Sequence, residues 1–150
     1  MIRLIEIGED NWLDFVGLYL PEEQQRFLDR PVGILARGYV YRSENARVFG
    51  IADEGSAVGL ALVKDLDEEP ACYDLQQFMI GSRYQNSGFG TEALRQILSL
   101  LREERRYDCV EVCVDRDNRS ALRLFGKAGF HDTGYVDESC PRSLNLMYHF

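Results

Sequence analysis

The chain has 150 residues, of which 45% are hydrophobic, and a formal net charge of −8. This length fits one domain with a real core. An acidic surface repels phosphate backbones, so we expect no nucleic-acid partner. The same charge would attract small amines. The alternative interpretation is that the acidic surface only keeps the protein soluble. No apolar run could span a bilayer and the first residues lack a secretion signal, so we expect a cytoplasmic protein without a membrane partner.

The cysteines and histidines show no metal-ligand spacing. The residues are Cys72, Cys109, Cys113, Cys140, His131 and His149. No Cys-x-x-Cys pair occurs and the two histidines are far apart, so we expect no metal site. Reduced, buried thiols fit a cytoplasmic chain.

The first third of the chain predicts one strand followed by three helices. Alternating residues predict the strand, and the spacing of Trp12 and Phe15 predicts the first helix with both aromatic side chains in the core. Pro21 opens the second helix, and the third contains two glycines that weaken it. The strand covers residues 2–7, and the helices cover 8–20, 21–31 and 32–43.

From residue 47 the pattern changes to strands, with two further helices. Asn118 suits the N-cap of the last helix and Gly129 its C-terminal stop. The predicted strands are 47–52, 57–65, 71–80, 107–115, 130–136 and 143–150, and the helices are 91–106 and 118–129. Three consecutive strands followed by alternating strands and helices predict an α/β fold, in the sense of an α+β mixed sheet with helices on its faces. One domain, residues 1–150, suffices.

A glycine-rich run, Gln85 to Thr91, joins a predicted strand to a predicted helix. A simple turn would need one glycine, whereas Gly88 and Gly90 lie beside Ser87 and Thr91. Free backbone N–H groups and the positive end of the helix dipole make such a junction suited to a pyrophosphate.

Two ligands fit this run. Gly88, Gly90 and Ala93 match the dinucleotide fingerprint G-x-G-x-x-A, and the next strand ends in Asp115. Only 60 residues follow Gly90, too few for the remaining βαβ units of that fold. We therefore rank a nucleotide-binding oxidoreductase third, behind the two hypotheses that follow.

The second match uses two motifs. The run "QNSGFG" has the form Q/R-x-x-G-x-G/A, and "NRSALRLFGKAGF" matches N-x-x-A-x-x-L-Y-x-K-x-G-F at all but one specified position. Together they resemble the cofactor signatures of the Gcn5-related N-acetyltransferases. The segments "PEEQQRFLDR" and "YDLQQFMIGSRYQNSGFG" are further similar to the branch that includes bacterial spermine/spermidine acetyltransferases.

This resemblance implies a mostly antiparallel sheet flanked by helices, with acetyl-CoA bound between two splayed strands. It also implies direct attack by an amine, without an acyl-enzyme. The implied cofactor-binding residues are Phe78, Met79 and Ile80 along the pantetheine arm, Gln85, Asn86, Ser87, Gly88, Phe89, Gly90 and Thr91 around the pyrophosphate, and Asn118, Phe125 and Lys127 on the following helix.

The chain departs from the family at both proton-transfer positions. Phe125 replaces the tyrosine that serves as the acid, so Tyr135 or Tyr84 could substitute, or the thiolate could leave unprotonated. Gln76 occupies the position of a frequent glutamate. Asp74 would share its strand face and is our candidate base, with a solvated strand-end acid as the alternative.

The acceptor itself is predicted only as a class. Glu22, Glu23 and Asp74 would bind a small-molecule amine and would suit a polyamine, although a solvated acidic loop is the better explanation of the first two. Exposed sheet edges would allow a homodimer. The missing tyrosine also supports an alternative function, an acyl-CoA-binding module that senses the cofactor without turnover.

Overall fold

The computed structural model describes all 150 residues and places a seven-stranded sheet between two layers of helices. The strands are β1 (Ile2–Glu6), β2 (Arg47–Asp53), β3 (Ser56–Leu66), β4 (Cys72–Ile80), β5 (Cys109–Asp115), β6 (His131–Asp132) and β7 (Ser143–His149). The helices are α1 (Trp12–Val16), α2 (Pro31–Val40), α3 (Phe89–Glu104) and α4 (Arg119–Ala128). The predicted element order and the mixed α/β fold are therefore confirmed, apart from the helix expected over 21–31.

The sheet has the order β1-β2-β3-β4-β5-β7-β6, and only β4 and β5 are parallel neighbours. These two strands pair only at Tyr73 with Val110 and at Asp74 with Glu111. Beyond Asp74 they separate toward their carboxyl ends. The sheet therefore contains a V-shaped opening whose closed end is the Asp74–Glu111 pair.

A β-bulge interrupts β4 at Gln76. Leu62 of β3 pairs with Gln77, and the next residue, Val63, pairs with Leu75, so Gln76 has no partner in the register. Leu75 faces the α3 side of the sheet, whereas Gln77 contacts the α1–α2 segment on the opposite side. A bulge interrupts the strict alternation of side chains, so the shared strand face of Asp74 and Gln76 stays a prediction.

Each face of the sheet is covered by its own hydrophobic layer. The predicted stripe of α3 is buried against the sheet, and its members are Leu94, Ile97, Leu98 and Leu101. On the other face, Phe15 and Ile34 pack on Leu60 and Leu62. Burial of each large side chain contributes roughly 1.5–3 kcal/mol, so these layers hold the strands at the opening in place.

The helix predicted over 21–31 is wrong, because only Glu22–Gln24 forms a single 3₁₀ turn. Local turns and hydrogen bonds that involve side chains hold this segment. The Gln25 side chain donates to the Leu20 carbonyl at 3.1 Å, and the Asp29 N–H donates to Gln77 Oε1 at 3.2 Å. The segment instead runs as an irregular wall beside β4.

Three smaller predictions also fail. Trp12 is 42% exposed, whereas Phe15 is in the core as expected. Cys113 and Cys140 are exposed, and only the other two thiols are buried. The strand expected over 130–136 stops after Asp132, because the Thr133 hydroxyl bonds to the Asn145 carbonyl and Gly134 adopts a positive φ of 78°.

None of the helices has the length and apolar composition required to cross a membrane.

Candidate active site

The loop from Gln85 to Thr91 presents an unbroken series of free backbone donors. No backbone N–H from Asn86 to Thr91 donates to an acceptor within the protein. Asn86 and Gly88, the N-cap of α3, have positive φ angles of 62° and 81°. Successive N–H groups in such a turn, at a helix N-terminus, form a concave anion site. The loop therefore fits a diphosphate.

Gly90 leaves room for a ligand. A Cβ atom built on Gly90 would lie 3.6 Å from Ile80, 3.8 Å from Leu124 and 3.9 Å from Phe78, which are ordinary contact distances. These three side chains line the cavity beside the loop. The fold would therefore accept a methyl group here, but that methyl group would occupy ligand space.

A cavity of about 280 Å³ lies between the end of β4, this loop and α4. Most of the predicted cofactor residues line it, namely Phe78, Met79, Ile80, Gln85, Asn86, Gly88, Gly90, Thr91, Asn118, Phe125 and Lys127. Asn118 also caps α4 as predicted, because its Oδ1 accepts the Ala121 N–H at 3.4 Å. The structure thus brings together residues that lie up to 49 positions apart.

Ser87 and Phe89 are the two predicted cofactor residues that do not line the cavity. The Ser87 hydroxyl donates to the Gln85 carbonyl at 3.4 Å, and Phe89 packs against the core. The Gln85 side chain donates to the Ile80 carbonyl at 2.8 Å and exchanges hydrogen bonds with the Gln24 amide. Gln85 therefore fixes the loop to β4 and to the neighbouring wall.

The sequence prediction missed the wall before α2 and several residues of the α4 wall. Leu20, Gln24 and Leu28 line it from the segment before α2, and Ser120, Arg123 and Leu124 line it from α4. The α4 residues could have been found from helical periodicity around Lys127, since Arg123 is one turn earlier. The residues before α2 carry no local signal, because their position depends on long-range contacts.

A larger cavity of about 1050 Å³ adjoins the first one on the α1–α2 side of the sheet. The two cavities share Leu20, Leu28 and Met79, so they meet at β4. Glu22 and Glu23, predicted to bind substrate, are exposed and line neither cavity. The structure therefore does not bring Glu22 and Glu23 to either cavity.

Phe125 occupies the position of the family tyrosine and is 3% exposed. Its ring contacts Phe78 at 6.1 Å and Phe130 at 5.2 Å between centroids, both edge-to-face. Of the two substitute tyrosines, Tyr84 lines the cavity, whereas Tyr135 is 63% exposed and lies outside its lining. The structure thus brings Tyr84 to the cleft, and not Tyr135.

Asp74 is a partly buried carboxylate at the closed end of the opening. Its side chain is 18% exposed and lies 3.7 Å from the ammonium of Lys64, which also contacts Glu44 at 3.5 Å. Burial raises the pKa of Asp74 to about 6, against the opposing effect of Lys64. Such an environment does not match a solvated strand-end acid and suits a group that exchanges a proton near neutral pH.

The other groups near β4 offer no nucleophile. Burial raises the pKa of Cys72 to about 12, and it also raises the pKa of Cys109. Thiols of this kind are mostly protonated at neutral pH and react poorly. The Oε1 atom of Gln76 is buried without a hydrogen-bond partner.

Comparison with known proteins agrees with this geometry. Residues 4–130 match the model of the acetyltransferase (GNAT) family. A spermine/spermidine N(1)-acetyltransferase of Bacillus subtilis is 29% identical over 141 residues, which cover 91% of each chain.

Two solved structures share the fold at low sequence identity. The aminoglycoside acetyltransferase AAC(6')-Ib, in complex with coenzyme A, has a TM-score of 0.80 at 14% identity, and covers 99% of this chain and 95% of its own. The PaiA N-acetyltransferase of Thermoplasma acidophilum, also with coenzyme A, has a TM-score of 0.71 at 12% identity and covers 100% and 99%. With the family match, the splayed strands and the free amide loop, the chain belongs to the acetyltransferase (GNAT) family, whose members use acetyl-CoA as the donor.

Proposed function

We propose that the protein transfers acetyl from acetyl-CoA to a primary amine of a small cationic molecule, with polyamines as the preferred class, by direct attack of the amine. The observation that carries this proposal is Asp74, a partly buried carboxylate at the closed end of the β4–β5 opening. The likeness to a spermine/spermidine acetyltransferase supports the choice of acceptor.

The cleft residues divide the work of holding the donor. The backbone N–H groups from Asn86 to Thr91 bind the diphosphate, and the backbone of Phe78–Ile80 pairs with the pantetheine arm. Arg123 and Lys127 add positive charge from α4. A backbone N–H near Met79 stabilises the negative charge that develops on the thioester carbonyl oxygen.

Asp74 removes the proton that blocks the amine. An alkyl amine has a pKa near 10.4, so it arrives as an ammonium and must lose a proton before it attacks. With a pKa of about 6, Asp74 is about nine-tenths ionised at pH 7 and can accept this proton directly or through water. Because the ionised form is the active one, we expect kcat/KM to fall as the pH drops through about 6.

Exchange of Asp74 for Asn tests this role. General-base catalysis contributes roughly 10²–10⁴-fold, so Asp74→Asn should lower kcat by about that factor. The variant should also lose the fall of kcat/KM that the wild type shows near pH 6. Affinity for CoA should not change, because the diphosphate loop is untouched. The measurement is thiol release from acetyl-CoA with a panel of polyamines, amino acids, aminoglycosides and peptides.

Asp10→Asn is the matched control, since Asp10 is exposed and makes no side-chain hydrogen bond. It should behave like the wild type. Full activity in Asp74→Asn would contradict the assignment of Asp74 as the base. If the wild-type protein releases no thiol with any amine of the panel, the proposed catalytic activity is wrong.

Phe125 favours a second candidate function, an acyl-CoA-binding module without turnover. This ring is buried among aromatic side chains and offers no proton to the leaving thiolate. Tight CoA binding with no rate for any amine, unrestored by Phe125→Tyr, would support the module. A thermal shift with NAD but not with CoA would instead revive the oxidoreductase hypothesis.

A further inference from the structure

A second carboxylate lies opposite Asp74 at the closed end of the opening. Glu111 of β5 is the register partner of Asp74. Its neighbours Val110 and Val112 point into the core with α3, so Glu111 projects from the other face of the sheet. Partner residues in adjacent strands project from the same face, so Asp74 and Glu111 are side-by-side acids.

Glu111 differs from Asp74 in having no cation. No Lys, Arg or His side chain forms an ion pair with it, and its one polar contact is with the Cys72 thiol, 3.9 Å from Oε2. Asp74, by contrast, contacts Lys64 at 3.7 Å. Glu111 is nevertheless half-buried. A carboxylate that has lost water without gaining a cation is unfavourable in the free protein.

The charged groups that face this pair from neighbouring elements are mainly acidic. Glu68 of the β3–β4 loop acts on both carboxylates, Glu44 acts on Asp74, and Asp137 of the loop before β7 acts on Glu111. Lys64 is the one cation, and Asp74 and Glu44 share it. Burial, followed by the charge of Asp74, raises the pKa of Glu111.

We propose that Glu111 determines specificity for cationic acceptors by holding an ammonium group of the substrate beside Asp74. This inference rests on the proposed function and adds a residue to it. A substrate ammonium would supply the missing cation, so the cost of burying Glu111 is recovered only when a cationic amine is bound. The division of roles follows from the contacts: Asp74, held by Lys64, takes the proton, and Glu111 binds charge.

Exchange of Glu111 for Gln keeps the size of the side chain and removes its charge. Since hydrogen bonds to charged groups contribute roughly 1.5–3 kcal/mol, we expect KM for spermidine to rise about tenfold or more, with kcat changed by less than about threefold. Turnover of hydroxylamine, which is mostly neutral at pH 7, should be unchanged.

Two variants separate this role from a structural one. Glu111→Asp keeps the charge and should retain most of the preference for spermidine over hydroxylamine. Glu103→Gln removes an exposed charge on α3, which packs on the opposite face of the sheet, and should match the wild type. The melting temperature of Glu111→Gln should equal or exceed that of the wild type, because an uncompensated charge has been removed.

Calorimetric titration with spermidine tests Glu111 without any turnover. Binding to the wild type and to Glu111→Asp, weakened about tenfold in Glu111→Gln, supports the inference even if no acceptor is acetylated and the proposed function fails. Equal binding by all three proteins, no binding to the wild type, or equal loss for spermidine and hydroxylamine would overturn it.

Discussion

The absence of a side chain at Gly90 makes room for a ligand, and the fold does not require it. Gly90 lies in the first turn of α3, where alanine is favourable for the helix. A Cβ atom there would make only ordinary contacts with the protein, at 3.6 Å or more. The same atom would fill space in the cleft where the phosphate oxygens must approach the amides.

We therefore expect Gly90→Ala to keep or slightly raise thermal stability while weakening CoA binding about tenfold or more, since close backbone approach requires glycine. Isothermal titration with CoA and thermal unfolding measure the two effects separately. Gly126→Ala on α4 is the control, because nothing lies within 4 Å of its added Cβ atom. A Gly90→Ala protein that binds CoA normally would show that this glycine is only part of a turn.

Local chemistry made some site residues predictable and left others out of reach. Gly88, Gly90 and Asn118 were found because turns and caps depend on neighbouring residues. Gln24 was missed because it reaches the cleft only through its hydrogen bonds to Gln85, 61 positions away. Glu111 was missed because strand register, which the sequence does not display, pairs it with Asp74.

Among the elements, the segment between α1 and α2 has the most direct effect on the cleft. Its residues form one wall, and the first turn of α4 forms part of the other. Arg26 of the segment contacts the carboxylate of Asp117, just before α4, at 3.2 Å, and Arg142 contacts the same carboxylate at 2.6 Å. The Arg26–Asp117 ion pair links the two walls of the cavity.

Since this ion pair links the segment before α2 to the start of α4, we expect Arg26→Ala to increase the dissociation rate of CoA. The pair is largely exposed, so the change should not exceed about fivefold and should shrink at high salt. Stopped-flow displacement of a fluorescent CoA analogue measures this rate. Arg95→Ala breaks an exposed ion pair with Glu92 that lies within α3 and should leave the rate unchanged. Equal effects of both substitutions on the dissociation rate would exclude a role for the Arg26–Asp117 ion pair.

The same segment marks the limit of prediction at the level of elements. The strands and α3 were predicted because their periodicity records burial against the sheet. Residues 21–31 have helix-forming composition but pack as an irregular wall, because Asp29 and Gln25 bond to β4 and to Leu20. The separation of β4 from β5 was implied by family resemblance, since no local pattern encodes it.

The charge of the whole molecule should act on the acceptor at long range. A net charge of −8 raises the local concentration of cations. The acids around Asp74 and Glu111 concentrate this field at the closed end of the β4–β5 opening. A polycation interacts with more of these acids than a monoamine does. The preference for polyamines should therefore be electrostatic in origin and not depend on shape alone.

We expect spermidine to outcompete a monoamine of similar length, and this advantage to fall as ionic strength rises. At 0.01 M salt the Debye length is about 30 Å and at 1 M about 3 Å, so the field of distant acids vanishes across this range while direct contacts persist. The measurement is the ratio of kcat/KM for the two amines in a salt series, with CoA affinity followed in parallel as the control. A ratio near one at every salt concentration would mean that the acceptor is not recognised by its number of charges, and the polyamine class would then be wrong even if acetyl transfer is real.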